Sequence, residues 1–154
     1  MNSINVRPAE DNDAKDIFTW HNDEVTRKMS HSINIVDWDA HLKWYISAIS
    51  NPNSCLLICY LTKTKEKVGI VRFTVENNLA LTSINIAPNM RGQGLAKLCL
   101  SNSISFFRGK YIKITELEAE IKSNNWASRR AFEEVGFVLN HTKDDLGYFT
   151  LSLS

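Results

Sequence analysis

The chain opens with helix-like spacing of its apolar residues and then switches to strand-like runs. Ile4 and Val6 alternate with polar residues up to Pro8, which predicts a short strand. From Ala9 to Trp20, Ala14, Ile17 and Phe18 recur at helical spacing behind an acidic first turn. A second amphipathic helix starts at Asp37, a good N-cap, and carries Leu42, Tyr45, Ile46 and Ile49 until Asn51-Pro52 ends it. Three runs rich in branched and aromatic residues follow, Cys55–Leu61, Lys67–Val75 and Leu79–Ala87. The short polar connections Thr62–Glu66 and Glu76–Asn78 make an antiparallel meander the economical arrangement. In the third run Leu79, Leu81, Ser83 and Asn85 share one face, and Ala80, Thr82, Ile84 and Ile86 the other. A glycine-rich loop leads into a helix from about Gln93 to Phe107. Ile114–Ile121 reads as a strand with Glu116, Glu118 and Glu120 on one face. A helix from Trp126 to Val135 closes at Gly136, and Phe137–Leu139 and Tyr148–Leu153 finish as strands. The sum is a single α/β domain over residues 1–154. Its strands are mostly antiparallel, with one strand–helix–strand crossover around residues 80–121.

Composition narrows the class. The 154 residues carry 18 Lys+Arg against 17 Asp+Glu, a net charge of +1, which offers no bulk footprint for nucleic acid or an acidic membrane. Hydrophobic residues at 44% and charged residues at 23% are those of a soluble globule. No apolar run approaches the roughly 20 residues of a membrane span, and no apolar signal core follows the start. Cys55, Cys59 and Cys99 lie in apolar runs and match no metal spacing. They are expected to be reduced core thiols of a cytoplasmic protein, with neither a metal site nor a disulfide scaffold.

The most informative stretch runs from Ile84 to Ala96, where a strand enters a loop with Gly92 and Gly94 and the loop enters a helix. The glycines let the backbone approach a ligand, and the first helical N–H groups lack intrahelical partners. Amides and helix dipole together favour a phosphate. A third glycine for a dinucleotide fingerprint and a Gly-Lys-Ser/Thr for a P-loop are both missing. Arg91-x-x-Gly94-x-Ala96, preceded by Ile86-Ala87-Pro88, resembles the acetyl-CoA signature of the GCN5-related N-acetyltransferases (GNAT family). Downstream, the segment from Asn125 to Phe137 is similar to the family's Asn-x-x-Ser/Ala-x-x-x-Tyr-x-x-x-Gly-Phe motif.

The resemblance covers nearly the whole chain and implies a GNAT fold. That fold has a mixed, mostly antiparallel sheet of six to seven strands, flanked by about four helices and splayed at the acetyl-CoA site. Pantetheine would pair with backbone near Asn85, Ile86 and Ala87, and the pyrophosphate would rest on the amides of Arg91, Gly92, Gln93, Gly94, Leu95 and Ala96. Asn125 would touch the pantetheine arm, with Ser128 and Arg129 at the phosphate end.

Acetyl transfer needs a neutral amine, donors for the developing oxyanion and a way to accommodate the leaving thiolate. Glu116, Glu118 and Glu120 are the candidate carboxylates. The resemblance selects Glu120, since some relatives carry a glutamate base five residues before the matched asparagine. The Ile86 N–H and Asn85 are the oxyanion candidates. One departure stands out: where many relatives place a tyrosine beside the thiolate, this chain has Phe132. Tyr45 and Tyr148 are the alternative phenols.

Acceptor recognition is expected in the early helices. Trp20-His21-Asn22-Asp23, then Arg27, and later His41-x-x-Trp44 resemble the branch of the family that acetylates the 4-amino group of nucleotide-linked amino-deoxysugars. In that reading Arg7, Arg27 or Arg72 meets a diphosphate, and Trp20 or Trp44 stacks on a ring. Acetylation of protein N-termini or of other small amines shares parts of the pattern, and a catalytically weak CoA-binding module is the non-enzymatic alternative. The implied partners are a small-molecule amine and acetyl-CoA, with a monomer or homodimer as the assembly.

Overall fold

The computed structural model describes residues 3–29 and 34–153. Strands β1 (Ile4–Pro8), β2 (Ser54–Leu61), β3 (Lys67–Glu76), β4 (Leu79–Ile86), β5 (Glu116–Lys122), β6 (Val138–Lys143) and β7 (Leu146–Ser152) form one sheet in the order β1-β2-β3-β4-β5-β7-β6. Every neighbouring pair is antiparallel except β4 and β5. The β2–β3–β4 meander and the parallel crossover through the helix are therefore as the sequence pattern predicts.

Five α-helices accompany the sheet among the described residues: α1 (Ala14–Asn22), α2 (Glu24–Met29), α3 (Trp38–Ser50), α4 (Ala96–Lys110) and α5 (Trp126–Glu134). Helix α2 has no counterpart in the sequence reading, and two others begin later than that reading places them. The first predicted helix begins as a short turn over Asp11–Asp13 and becomes α-helical only at Ala14. The crossover helix begins at Ala96 rather than Gln93, because Gly92 and Gly94 both hold positive φ (75° and 70°), which a helix cannot accommodate. By contrast, Asp37 caps α3 as expected, its carboxylate accepting from the Ala40 N–H.

Helices α4 and α5 cover one face of the sheet, where Phe73 stacks on Phe107 with ring centres 4.2 Å apart. Phe73, Phe107, Leu100, Leu117 and Val71 are fully buried there. Helices α1 to α3 cover the opposite face of β2 to β4. On that side Asp13, wholly buried, receives Arg7 at 2.7 and 2.9 Å and Lys67 at 2.7 Å, which ties β1 and β3 to the turn before α1. Burial opposes the Asp13 charge, but hydrogen bonds from Arg7 and Lys67 outweigh it and hold the pKa at about 2. Arg7, a candidate for a diphosphate, is committed to this pair.

Candidate active site

Parallel strands β4 and β5 pair only from Leu79–Leu81 to Glu116–Glu118, and beyond those three rungs they part. The remainder of β4 (82–86) and of β5 (119–122) face each other across an open V. Because the strands are parallel, both carboxyl ends lie at the mouth of this V. Each runs on into a helix there, β4 through the glycine loop into α4 and β5 through Ser123–Asn125 into α5. A crevice at the carboxyl ends of parallel strands, flanked by two helix N-termini, attracts an anionic ligand. The parting also explains why Ile84 and Ile86 are only half-buried in mid-sheet, while Ala80, deeper on the same face, is fully buried.

The glycine loop presents a run of backbone amides without backbone partners. Among the described residues, no backbone N–H from Arg91 to Leu98 donates to another backbone group outside the helix; the first such bond is Cys99 N–H to the Leu95 carbonyl. A Cβ at Gly92 or Gly94 would meet nothing within 4 Å, so the space above both is open. Their positive φ is what turns successive amides to one side. The Arg91 side chain points elsewhere: it bonds the Asp23 carboxylate at 2.8 Å and the Thr26 hydroxyl at 2.6 Å. Thr26 Oγ1 in turn lies 3.2 Å from Asn85 Oδ1. This network fastens the α1–α2 junction to the end of β4 and turns the Arg91 guanidinium away from the loop's amides.

At the other helix, Asn125 caps α5 by accepting from the Ser128 N–H at 3.2 Å, and its Nδ2 donates to no described residue. Arg129 is held by Glu133 at 3.3 Å and lies over the Trp126 and Phe149 rings. Phe132 is 2% exposed and meets Phe137 edge-on, a core residue of α5.

Sequence reasoning missed three contributors. Gly69 on β3 sits opposite Ile86, and a Cβ there would fall 2.4 Å from the Asn85 carbonyl oxygen, so only glycine permits this approach at the V. Asp23 and Thr26 anchor Arg91. Asp23 stands in the sequence reading only as part of an acceptor segment, and nothing local marks its pairing with Arg91 or that of Thr26, which span 68 and 65 residues.

On the α1–α3 face, Glu116, Glu118 and Glu120 share a row on β5, and Tyr148 of β7 stands directly opposite Glu120. Tyr148 stacks on His141 with ring centres 4.5 Å apart. Arg72 of β3 reaches the same face, rung-partner to Ser83, and its guanidinium lies 5.3 Å from the Trp44 ring centre. It is accessible to solvent, yet surrounding protein lowers its pKa, and no described carboxylate pairs with it. Burial lowers the neighbouring His21 pKa, with Arg72 and His41 adding to the effect.

Several acceptor candidates are engaged elsewhere. His41 is 3% exposed, its Nε2 is 2.9 Å from the Ala14 carbonyl, and its ring packs among Phe18, Trp38, Trp44 and Tyr45. Trp20 is 7% exposed and belongs to the core. Asn22 bonds both backbone groups of Val36, and Arg27 bonds the Asn22 carbonyl. Tyr45 donates to the Glu10 carbonyl, which removes it as a thiolate partner. Their polar spacing is that of a helix-packing interface, which the sequence cannot distinguish from a binding surface.

The Acetyltransferase (GNAT) domain model matches residues 3–138. The chain belongs to the GNAT acetyltransferase family. It is an acetyl-CoA:amine N-acetyltransferase, acetyl-CoA being the family's typical donor. No curated protein matches it in sequence. Among solved structures, a domain from Methanocaldococcus jannaschii aligns with TM-score 0.85 at 22% identity over 99% of this chain and 100% of that one. Spermidine N-acetyltransferase from Vibrio cholerae, in complex with CoA and spermine, aligns with TM-score 0.84 at 17% identity over 97% and 95%. A protein proposed to be a phosphinothricin N-acetyltransferase aligns with TM-score 0.81 at 21% identity over 99% of both. At these identities the likeness is one of fold.

Proposed function

We propose that this acetyltransferase holds acetyl-CoA in the V and delivers the acetyl group to the 4-amino group of a nucleotide-linked amino-deoxysugar. The parting of β4 and β5 above a loop of unpaired amides carries the donor half of this reading. The pyrophosphate rests on the N–H groups of residues 91–96. Pantetheine pairs along Asn85–Ala87, and the free Asn125 amide donates to its arm. The Ile86 N–H, with Asn85 beside it, polarises the thioester carbonyl. Glu120, directly or through water, takes the proton that the amine must lose before it attacks.

Arg72 carries the acceptor half. A guanidinium with no carboxylate partner among the described residues, under the Trp44 ring and beside His21, suits the phosphates of an acceptor whose amine points toward β5. With Trp20, His41, Asn22 and Arg7 committed to packing, this half rests on Arg72 and Trp44. The row Glu116, Glu118, Glu120 favours a second reading, a polyamine acceptor, with the amines held by carboxylates and Arg72 left idle.

A thiol-release assay over a uridine diphosphate amino-sugar, spermidine and a peptide N-terminus separates the readings. Turnover of the nucleotide sugar, with Arg72→Leu raising its KM while leaving spermidine unaffected, is the expected result. Preferred turnover of spermidine by wild type would replace it with the second reading. Glu120→Gln should lower kcat/KM by about 10²–10⁴-fold near neutrality and by less at high pH, where free amine is abundant.

A further inference from the structure

The network around Arg91 ends on a side chain with a donor to spare. Arg91 donates to the Asp23 carboxylate at 2.8 Å and to Thr26 Oγ1 at 2.6 Å. A hydroxyl that accepts from a cation becomes a better donor itself. The nearer acceptor for the Thr26 proton is Asn85 Oδ1 at 3.2 Å, against 3.4 Å to Asp23 Oδ2, which already receives Arg91 and the Thr26 N–H. With its oxygen turned to Thr26, the Asn85 amide presents Nδ2 on its other side. That nitrogen bonds no described residue, and it is not enclosed, since Thr82 Oγ1 is the one buried side-chain polar atom left unpaired among the described residues.

The place of Asn85 on β4 indicates what that donor serves. Asn85 precedes Ile86 on the part of the strand that has left β5. The Ala87 N–H donates to the Val68 carbonyl of β3, so by strand alternation the Ile86 N–H points the other way, into the V. Five covalent bonds join Asn85 Nδ2 to the Ile86 nitrogen, which keeps the two within about 6 Å, and closer in any bent conformer. Two donors at that spacing can bond a single oxygen at roughly 2.9 Å each. We propose that Thr26, polarised by Arg91, is a positioning residue: it fixes the Asn85 amide so that Nδ2 and the Ile86 N–H share the thioester carbonyl oxygen. The inference rests on the acetyl-CoA reading above and deepens it at the reacting carbonyl.

Neither donor surrenders a proton. As the amine nitrogen bonds the acetyl carbon, the carbonyl oxygen gains a charge that the two N–H groups stabilise. The electron pair then returns to re-form the carbonyl, the carbon–sulfur bond breaks with its pair on sulfur, and the amine proton passes to Glu120 or water. An Asn85 amide free to rotate would offer oxygen as readily as nitrogen, and an oxygen there repels the developing charge. The Thr26 hydroxyl removes that alternative by engaging the Asn85 oxygen, and Arg91 strengthens its hold.

Calorimetry with acetyl-CoA and S-ethyl-coenzyme A, in which a methylene replaces the carbonyl, tests this on wild type, Thr26→Val, Thr26→Ser and Asn85→Asp. Wild type should prefer acetyl-CoA by about 5–10-fold, and Thr26→Val by only about 2-fold, with its S-ethyl-coenzyme A affinity unchanged. Thr26→Ser, which keeps the hydroxyl, should retain the preference. Asn85→Asp, which keeps an oxygen for Thr26 but has no N–H, should lose it. The infrared band of acetyl-CoA labelled at its carbonyl carbon should follow the same order, lowest in frequency on wild type and Thr26→Ser. Helix α2 buries no side chain, so Thr26→Val should melt close to wild type. An unchanged preference and band in Thr26→Val overturn the inference. So does an equal loss of affinity for both ligands or a large drop in melting temperature, either of which makes Thr26 a support for α2 alone. Wild type binding both ligands without preference overturns this inference and spares the acetyl-CoA reading, whereas failure to bind either overturns that reading itself.

Discussion

Gly69→Ala probes whether the tight β3–β4 approach shapes the acetyl-CoA site. The added Cβ would start 2.4 Å from the Asn85 carbonyl oxygen and 3.0 Å from the Ile86 Cα, so the first separation must open to at least 3.0 Å. Both obstacles are backbone, and no rotamer change relieves them. The end of β4 can yield in one direction, into the V, because beyond Leu81 it has no β5 partner to hold it. That freedom sets the stability cost near the low end of the overpacking range, about 1 kcal/mol of a possible 1–3. For a chain of this size the melting temperature should then fall by roughly 2–4 °C. The cost to ligand binding should be larger. A shift of at least about 0.6 Å moves Asn85, Ile86 and Ala87, the backbone assigned to pantetheine, and a displacement of about 1 Å costs up to about 10²-fold at a positioned site. Scanning calorimetry and acetyl-CoA titration read the two effects separately. A lowered melting temperature with wild-type acetyl-CoA affinity would refute the argument and leave Gly69 a packing residue only.

Two further outcomes follow from the same geometry. Gly94→Glu should abolish acetyl-CoA binding by titration, because its side chain enters open space over the loop amides and brings a like charge; Gly94→Ala, sharing the positive-φ strain, should cost stability but retain binding. Asp13 ionises in the folded chain at about 2, below its ordinary 3.8, so the stability it confers is complete above pH 5 and lost as the pH falls toward 2. About 2 kcal/mol is at stake, and urea midpoints between pH 2 and 7 should show this acid slope in wild type and a flatter one in Asp13→Asn.

The fold was legible because its signals are local. Alternation identified β1, runs of branched and aromatic residues identified β2 to β4, a capping aspartate placed the start of α3, and short polar turns fixed the meander. The misplaced boundaries fell where backbone conformation overrides composition. Gly92 and Gly94 read equally well as the first turn of a helix or as a loop, and their positive φ decides for the loop. Helix α2 was missed because six residues are too few to show a period.

The two halves of the site differ in legibility for a physical reason. The donor half is made of backbone: amides in a loop, a strand edge and two helix starts. Glycines and caps write such features into consecutive residues, so a motif can report them. The acceptor half is made of side chains whose meaning depends on which way a helix face turns. His41-x-x-Trp44 is one surface, its two rings 5.8 Å apart, yet His41 is 3% exposed and bonds the Ala14 carbonyl while Trp44 is 39% exposed and meets Arg72. Depth on a shared helix face separates a packing residue from an accessible one, and only the tertiary fold sets that depth. Arg72 shows the reverse case. On the strand it is one polar residue among apolar neighbours, and it becomes informative only because no described carboxylate comes to meet it. The proposed acceptor half therefore rests on groups that the described fold leaves unpaired, and these are the residues at which altered substrate preference should first appear.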